Sequence, residues 1–176
     1  QLVNLIRRLL ELQLANMFET LVVLDGALQA KHHFEADVVS KFFETNKNIV
    51  GLSKTTSIVT ENGIPVSLYL NRLAPLVPPW LAHDVLISTK FQISFVKLHE
   101  KSPYLFRLDV PNYLDAKNVS SQILARSNDA TFLGYPYELV RVDELARIGE
   151  DELAFMRQRF LSSLDSLTRS QLEQIR

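Results

Sequence analysis

Two carboxylates and a lysine of this sequence stand where a hydrolytic site could be built. Asp25 follows the apolar run over residues 21–24 and precedes a glycine, while Glu11 lies on the segment before that run. Lys54 follows closely on a second short apolar run over residues 48–52. A carboxylate at the end of a buried strand lies at the rim of a sheet, where α/β proteins bind ligands. The pattern therefore indicates a carboxylate site for Mg²⁺ or Mn²⁺, because hard cations prefer oxygen ligands.

Each of these residues also has an ordinary structural explanation. An aspartate followed by glycine, as at Asp25, is typical of a turn without chemistry. Glu11 can pair with Arg7 or Arg8 on a solvated helix face. Lys54 can be a solvated surface lysine at the end of a strand, without any role in binding a phosphate. The residue types and spacing leave both explanations open.

The two carboxylates are expected to face each other across a helix and a strand. Leucine and isoleucine recur at helical spacing over residues 2–19, which predicts a helix that carries Glu11. On that helix Glu11 lies about eight residues before the end, roughly 12 Å along the axis. Asp25 lies about four residues into the returning strand, roughly 13 Å back along it. An antiparallel packing of helix and strand would bring both carboxylates to the same level.

Lys54 and Asp25 are expected at one edge of the sheet. The runs over residues 21–24 and 48–52 predict strands buried on both faces, and residues 34–47 predict a helix between them. A strand, a helix and a strand within about 30 residues predict parallel strands with a right-handed crossover. The carboxyl ends of the two strands would then be neighbours. This adjacency is a geometric prediction from the order of the elements.

The remainder of the chain predicts further helices and a hairpin. The predicted elements are short helices and loops around Trp80, strands over 91–99 and 104–110 joined as a hairpin, and helices over 119–126, from 143 to 147 and from 150 onward. Tyr104, Phe106 and Arg107 could form an aromatic and basic surface for single-stranded nucleic acid. We favour the alternative in which Phe106 lies in the core and the charges are solvated.

The last predicted helix carries an apolar stripe at helical spacing. Its members are Met156, Phe160, Leu164 and Leu167. The stripe could pack on the core of the domain or on a partner helix, and both alternatives stay open.

Composition excludes several classes of function. The 176 residues are expected to form a single domain, 1–176. The formal net charge is −1, so the protein has no overall positive field that would indicate a polyanion partner. Cysteine is absent, which excludes disulfides, thiolate metal sites and cysteine nucleophiles. No apolar stretch is long enough to span a bilayer. The sequence contains no Walker-A loop, dinucleotide glycine fingerprint, nucleophile elbow or HExxH motif, and its four histidines lack the spacing of a zinc site.

The order of several short motifs resembles one known family. These motifs are Arg7-Arg-x-x-Glu11, Val-Val-Leu-Asp25-Gly-Ala-Leu, Ile-Val-Gly-Leu-Ser-Lys54, Phe106-Arg-Leu-Asp-Val-Pro111 and Gly134-Tyr-Pro-Tyr-Glu-Leu-Val-Arg-Val-Asp143. Together they resemble the C-terminal two-thirds of a NurA nuclease domain. Each motif is weak alone, but five in the same order are more specific, and they span nearly the whole chain.

The resemblance implies an RNase H-like α/β fold with a mixed sheet flanked by helices. It also implies Mn²⁺- or Mg²⁺-dependent cleavage of DNA, with 5′-to-3′ exonuclease and single-strand endonuclease activities in the resection of DNA ends. The implied partners are DNA, a HerA-type hexameric translocase and a second copy of the chain, without a membrane. The implied location is the cytoplasm.

The resemblance also assigns roles to individual residues. Glu11 and Asp25 match metal-binding acidic residues of the family, and Lys54 matches the lysine of its Val-Gly-x-x-Lys segment. Asp143 stands closest to the position at which the family can carry a histidine, and it could hold metal or orient water. The family's first aspartate lies on an earlier strand that the 176 residues do not include. We therefore expect a domain that is N-terminally incomplete and inactive alone.

Two other functions compete with the nuclease. A non-catalytic NurA-like scaffold that only binds a partner is favoured by the missing aspartate and by Asp143. A small-molecule α/β enzyme that uses Asp25 as an acid or a base has less support, because the chain offers no glycine-rich or histidine-based site.

Overall fold

The computed structural model describes residues 2–30, 36, 39, 48–73, 75, 77–165 and 168. The described helices are α1 (Leu2–Ala15), α2 (Val66–Leu73), α3 (Ala116–Ala125), α4 (Tyr137–Ala146) and α5 (Glu150–Ser163). The strands are β1 (Val22–Asp25), β2 (Ile49–Ser53), β3 (Trp80–Ile87), β4 (Phe91–Lys97) and β5 (Phe106–Pro111). The helix predicted over 34–47 lies outside the described residues, apart from Ala36 and Val39. The chain divides into two compact units, Gln1–Leu139 and Val140–Arg176.

The five strands of the described residues form one mixed sheet in the order β1-β2-β5-β4-β3. β1 and β2 are parallel, with Val22 opposite Ile49, while the other three pairings are antiparallel. The parallel pairing predicted for the first two strands and the predicted hairpin of β4 and β5 are therefore confirmed. The protein has a mixed α/β fold with helices flanking the sheet.

The centre of the sheet is fully buried. Every residue of β2 and of β5 is buried, as expected for strands covered on both faces. On one side, Leu12 and Ala15 of α1 pack with Leu28 and Ile49 in a hydrophobic cluster. This packing places α1 against the first two strands and fixes the helix beside the loop that follows β1.

The first helix is shorter than its sequence pattern predicts. α1 ends at Ala15, and the amides of Met17 and Phe18 bond to the carbonyls of Leu14 and Ala15. These contacts from residue i to i−3 tighten the chain into a turn before β1. Glu11 therefore lies about one helical turn from the end of α1, and the predicted spacing of about eight residues was wrong.

Trp80 begins a strand in a segment where loops and short helices were predicted. β3 pairs with β4 at the edge of the sheet, but the register shifts between Ala82 and Leu86. Asp84 adopts a φ of 55° inside this irregular stretch. A bulge interrupts the two-residue alternation of buried and exposed side chains, so the sequence pattern that identifies a strand is lost.

The second unit contains the last part of α4 and all of α5. The helix predicted from residue 150 onward is present as α5, whereas the helix predicted from Asp143 to Arg147 begins earlier, at Tyr137. Four apolar side chains of α5 are 47–60% exposed, namely Leu153, Phe155, Met156 and Phe160. Leu164 caps the end of α5, and Leu167 lies outside the described residues. Among the helices that the structure describes, none is long and apolar enough to cross a membrane.

Candidate functional site

Asp25 and Lys54 lie side by side at the carboxyl edge of the parallel strand pair. Asp25 is the last residue of β1 and is paired with Leu52, while Lys54 directly follows β2. The amide of Gly26 donates to the carbonyl of Leu52 at 2.9 Å, which keeps the two chain segments together beyond the ladder. Both side chains are exposed, and the negative charge of Asp25 is one of the causes that raise the pKa of Lys54. The predicted adjacency is therefore present.

Tyr135 is an aromatic partner of Lys54. The ammonium lies 4.6 Å from the centroid of the tyrosine ring, and its interaction with the Tyr135 side chain is the largest cause that raises the pKa of Lys54. Burial raises the pKa of Tyr135, although the interaction with Lys54 opposes that effect. Lys54 is thus a cation and Tyr135 a neutral phenol at neutral pH.

Tyr135 belongs to a cluster of three aromatic rings. Its ring centroid lies 5.9 Å from that of Tyr104 and 5.7 Å from that of Phe106, distances at which tilted rings attract each other. Gly134 brings the tyrosine there with a φ of +70°, and a Cβ at this glycine would lie 2.6 Å from the Ser102 side chain. The segment therefore sits directly on the loop of the β4–β5 hairpin because residue 134 has no side chain.

The sequence patterns predict no role for Tyr135. The available signal was the Gly-Tyr-Pro-Tyr motif in the family resemblance. Phe106 is in the core, as predicted, but Arg107 is only 5% exposed, so the prediction of solvated charges was wrong for this residue. The buried acid Asp109, two residues later on β5, neutralises the arginine.

Glu11 is held by two arginines on its own helix. Its carboxylate lies 3.5 Å from Arg7 Nε and 3.3 Å from Arg8 Nη1. Nη2 of Arg8 also donates to the carbonyl of Ala27 at 2.9 Å. One guanidinium thus connects Glu11 to the chain segment that follows Asp25. These contacts agree with the predicted helix-surface pairing.

Asp143 belongs to the second unit. Its carboxylate accepts a hydrogen bond from Nη2 of Arg147 at 2.7 Å, and both side chains are largely exposed. An exposed pair four residues apart on a helix is a surface interaction of small energy. In the described part of the second unit, Asp143 is therefore paired with the cation Arg147.

The donor set is compatible with a hard divalent cation. In the described ranges, Asp25 has no hydrogen bond or ion pair on its carboxylate, and no group of three histidine, aspartate or glutamate residues is formed. Mg²⁺ is commonly bound by one or two carboxylates and completes its shell with water and substrate phosphate. Asp25 and Glu11 are ligands of the type that such a site uses, whereas a zinc site built by protein ligands alone needs more donors.

Comparison with known proteins identifies two similarities. The family model described as NurA domain matches residues 1–148. The crystal structure of the NurA nuclease from Sulfolobus solfataricus is similar with a TM-score of 0.61 and 14% identity, over 93% of this chain and 68% of that chain. At this identity the structural likeness concerns the fold. Comparison with curated proteins gives no significant match.

Proposed function

Because the chain belongs to the NurA family, we propose that it is the core of a nuclease that cleaves DNA with the help of Mn²⁺ or Mg²⁺. The observation that carries this proposal is the position of Asp25 beside Lys54 at the carboxyl ends of two parallel strands. A carboxylate that can bind a cation and an ammonium that can bind a phosphate are the two charges that phosphodiester cleavage requires.

Each residue at this edge of the sheet has a different proposed role. Asp25 and Glu11 would hold the cation, which supplies Lewis-acid stabilisation of the charge on the phosphate when it is bound. Lys54 places a second positive charge at the phosphate, and Tyr135 fixes the direction of its ammonium. As a neutral phenol, Tyr135 can also donate its own proton in a hydrogen bond to a phosphate oxygen. Asp143 is proposed to orient water or to complete the cation's shell.

The finer parts of the proposal come from the family resemblance. They are an RNase H-like arrangement of the sheet, a third carboxylate from a strand outside these 176 residues, and 5′-to-3′ exonuclease and single-strand endonuclease activities in DNA end resection. A HerA-type translocase, a homodimer and a cytoplasmic location belong to the same proposal. The exposed apolar side chains of α5 support a protein partner, because such residues are disfavoured at a solvated helix surface.

A non-catalytic scaffold is the second candidate. It is favoured by the engagement of Glu11 with Arg7 and Arg8, which competes with cation binding. A scaffold would keep the fold and the partner surface without binding Mn²⁺.

Calorimetric titration of the full-length protein with Mn²⁺ separates these two candidates. We expect wild-type protein to bind Mn²⁺ and the Asp25→Asn variant to lose both binding and cleavage of single-stranded DNA, with an unchanged unfolding temperature. Glu138→Gln is the matched control, because Glu138 is an exposed acid paired with Arg126. Wild-type protein that binds no Mn²⁺ would leave the scaffold as the better account.

A further inference from the structure

Two oppositely charged side chains are buried in the middle of the sheet, on β5. Arg107 is 5% exposed and Asp109 is 0% exposed. Nε of Arg107 donates to Oδ1 of Asp109 at 2.6 Å, and Nη2 donates to Oδ2 at 2.9 Å. Burying two charges is costly, and the cost is offset only when good geometry and further hydrogen bonds satisfy the pair. The further hydrogen bonds of this pair therefore show which part of the chain it holds in place.

Those further bonds reach the segment that follows Asp25. Oδ2 of Asp109 accepts a hydrogen bond from the amide of Leu28 at 2.8 Å. Nη2 of Arg107 donates to Oε1 of Gln29 at 3.2 Å. Leu28 and Gln29 lie three and four residues after Asp25 in the sequence. The buried pair thus binds the chain at both its backbone and a side chain just beyond the candidate metal ligand.

The neighbouring strand is shaped to receive the same segment. Gly51 of β2 lies directly opposite Asp109 of β5, so both residues face the same side of the sheet. A Cβ at Gly51 would lie 2.5 Å from the carbonyl oxygen of Gly26 and 3.0 Å from the amide nitrogen of Leu28. The segment therefore packs directly on the backbone of Gly51, while Asp109 accepts a hydrogen bond from the Leu28 amide of the same segment.

Asp109 itself is not available as a cation ligand. Both of its oxygens accept hydrogen bonds from the Arg107 guanidinium, and Oδ2 accepts a second bond from Leu28. The charge of the carboxylate is therefore neutralised by a bidentate partner, and its lone pairs point into protein.

We propose that the buried Arg107–Asp109 pair is a positioning device, which holds residues 26–29 on the sheet and thereby fixes the Asp25 carboxylate beside Lys54. The consequence for metal binding rests on the proposed function. Partners that orient a metal ligand commonly change metal affinity by about 10- to 100-fold when they are removed.

The test uses the double variant Arg107→Met/Asp109→Leu of the full-length protein. Replacing both members removes the acceptor of the Leu28 amide without leaving one buried charge unpaired, and such replacements often preserve folding. Arg126→Met/Glu138→Leu is the control, because it removes an exposed ion pair from the same unit. Hydrogen exchange is measured on the metal-free protein, and Mn²⁺ affinity is measured by calorimetry.

We expect the Leu28 amide to exchange at least about tenfold faster in the double variant, with the amides of β4 unchanged, because the hydrogen bonds that the pair makes with Leu28 and Gln29 are lost while the sheet ladder is kept. We also expect Mn²⁺ to bind about 10- to 100-fold more weakly, and the control to match wild type. Unchanged exchange at Leu28, or faster exchange with unchanged Mn²⁺ affinity, would overturn the proposal.

Two further outcomes are decided by the same measurements. If the wild-type protein binds no Mn²⁺, the proposed function fails, whereas exchange at Leu28 still decides whether the pair holds the segment. If the double variant does not fold, Gln29→Ala replaces it, because the Gln29 side chain is exposed and its loss leaves the buried pair intact. Exchange of residues 28 and 29 that equals wild type in that variant would count against the proposal.

Discussion

The ammonium of Lys54 lies 4.6 Å from the centroid of the Tyr135 ring, and this tyrosine raises the pKa of the lysine. The two residues lie far apart in the sequence of the first unit, one following β2 and the other preceding α4. Their contact converts a surface lysine into a directed cation next to Asp25. The candidate site therefore combines a carboxylate that can bind a cation with an ammonium that can bind a phosphate, and the largely buried Tyr135 ring lies against the ammonium.

Removal of the Lys54 charge should reduce turnover more than substrate binding. In Lys54→Met we expect kcat to fall about 10²- to 10³-fold with little change in KM, because the charge acts where negative charge develops in the transition state. Lys54→Arg should recover part of the activity. Lys117→Met is the control at an exposed lysine of α3. Equal loss in both methionine variants, measured in single-turnover cleavage of DNA, would contradict a specific role.

Stability should decrease at alkaline pH through Lys54 and Tyr135. Folding raises the pKa of both groups, so their contribution is fully present below their unfolded values and is lost as the pH rises through the folded ones. We expect the unfolding temperature to fall above pH about 10. The fall should be smaller in Tyr135→Phe, which keeps the ring but has no titrating hydroxyl. Identical profiles of wild type and variant between pH 8 and 11.5 would refute this prediction.

A methyl group at Gly51 should displace the segment after Asp25. In Gly51→Ala the new Cβ meets the Gly26 carbonyl oxygen at 2.5 Å, which is too close for contact with backbone. We expect a loss of about 1–3 kcal/mol in the free energy of unfolding, the usual cost of overpacking, and weaker Mn²⁺ binding. Gly149→Ala is the control, because no atom lies within 4 Å of its added Cβ. Chemical denaturation that gives both variants the same stability would contradict the prediction.

The exposed apolar side chains of α5 should matter for self-association. Phe155 and Phe160 are 60% and 58% exposed, and a buried charge at either position would cost several kcal/mol in an apolar interface. We expect wild-type protein to be a dimer by light scattering and Phe155→Glu/Phe160→Glu to be a monomer. Arg157→Glu on the same helix tests whether charge alone has this effect. A monomeric wild type would refute the proposed homodimer, and a dimeric double variant would place its interface elsewhere.

The sequence was sufficient to predict that the strand ends next to Asp25 and Lys54 are neighbours at one edge of the sheet. Two short apolar runs separated by the length of a crossover allow one parallel pairing, and β1 and β2 have it. The same local reasoning failed for β3, where a bulge removes the alternation, and for the end of α1, where the last turns tighten. Local patterns record which face of an element is buried, but they do not record irregular backbone.

By itself, therefore, the sequence determined the order of the motifs, the family that this order resembles and the neighbouring strand ends of the candidate site. Only the tertiary structure decided that Tyr135 contacts Lys54 and that Arg107 and Asp109 are buried under the segment after Asp25. The hydrogen bonds from Leu28 to Asp109 and from Arg107 to Gln29 join residues 81 and 78 positions apart. Contacts at such separations depend on how whole strands pack, and the pattern of neighbouring residues does not specify that packing.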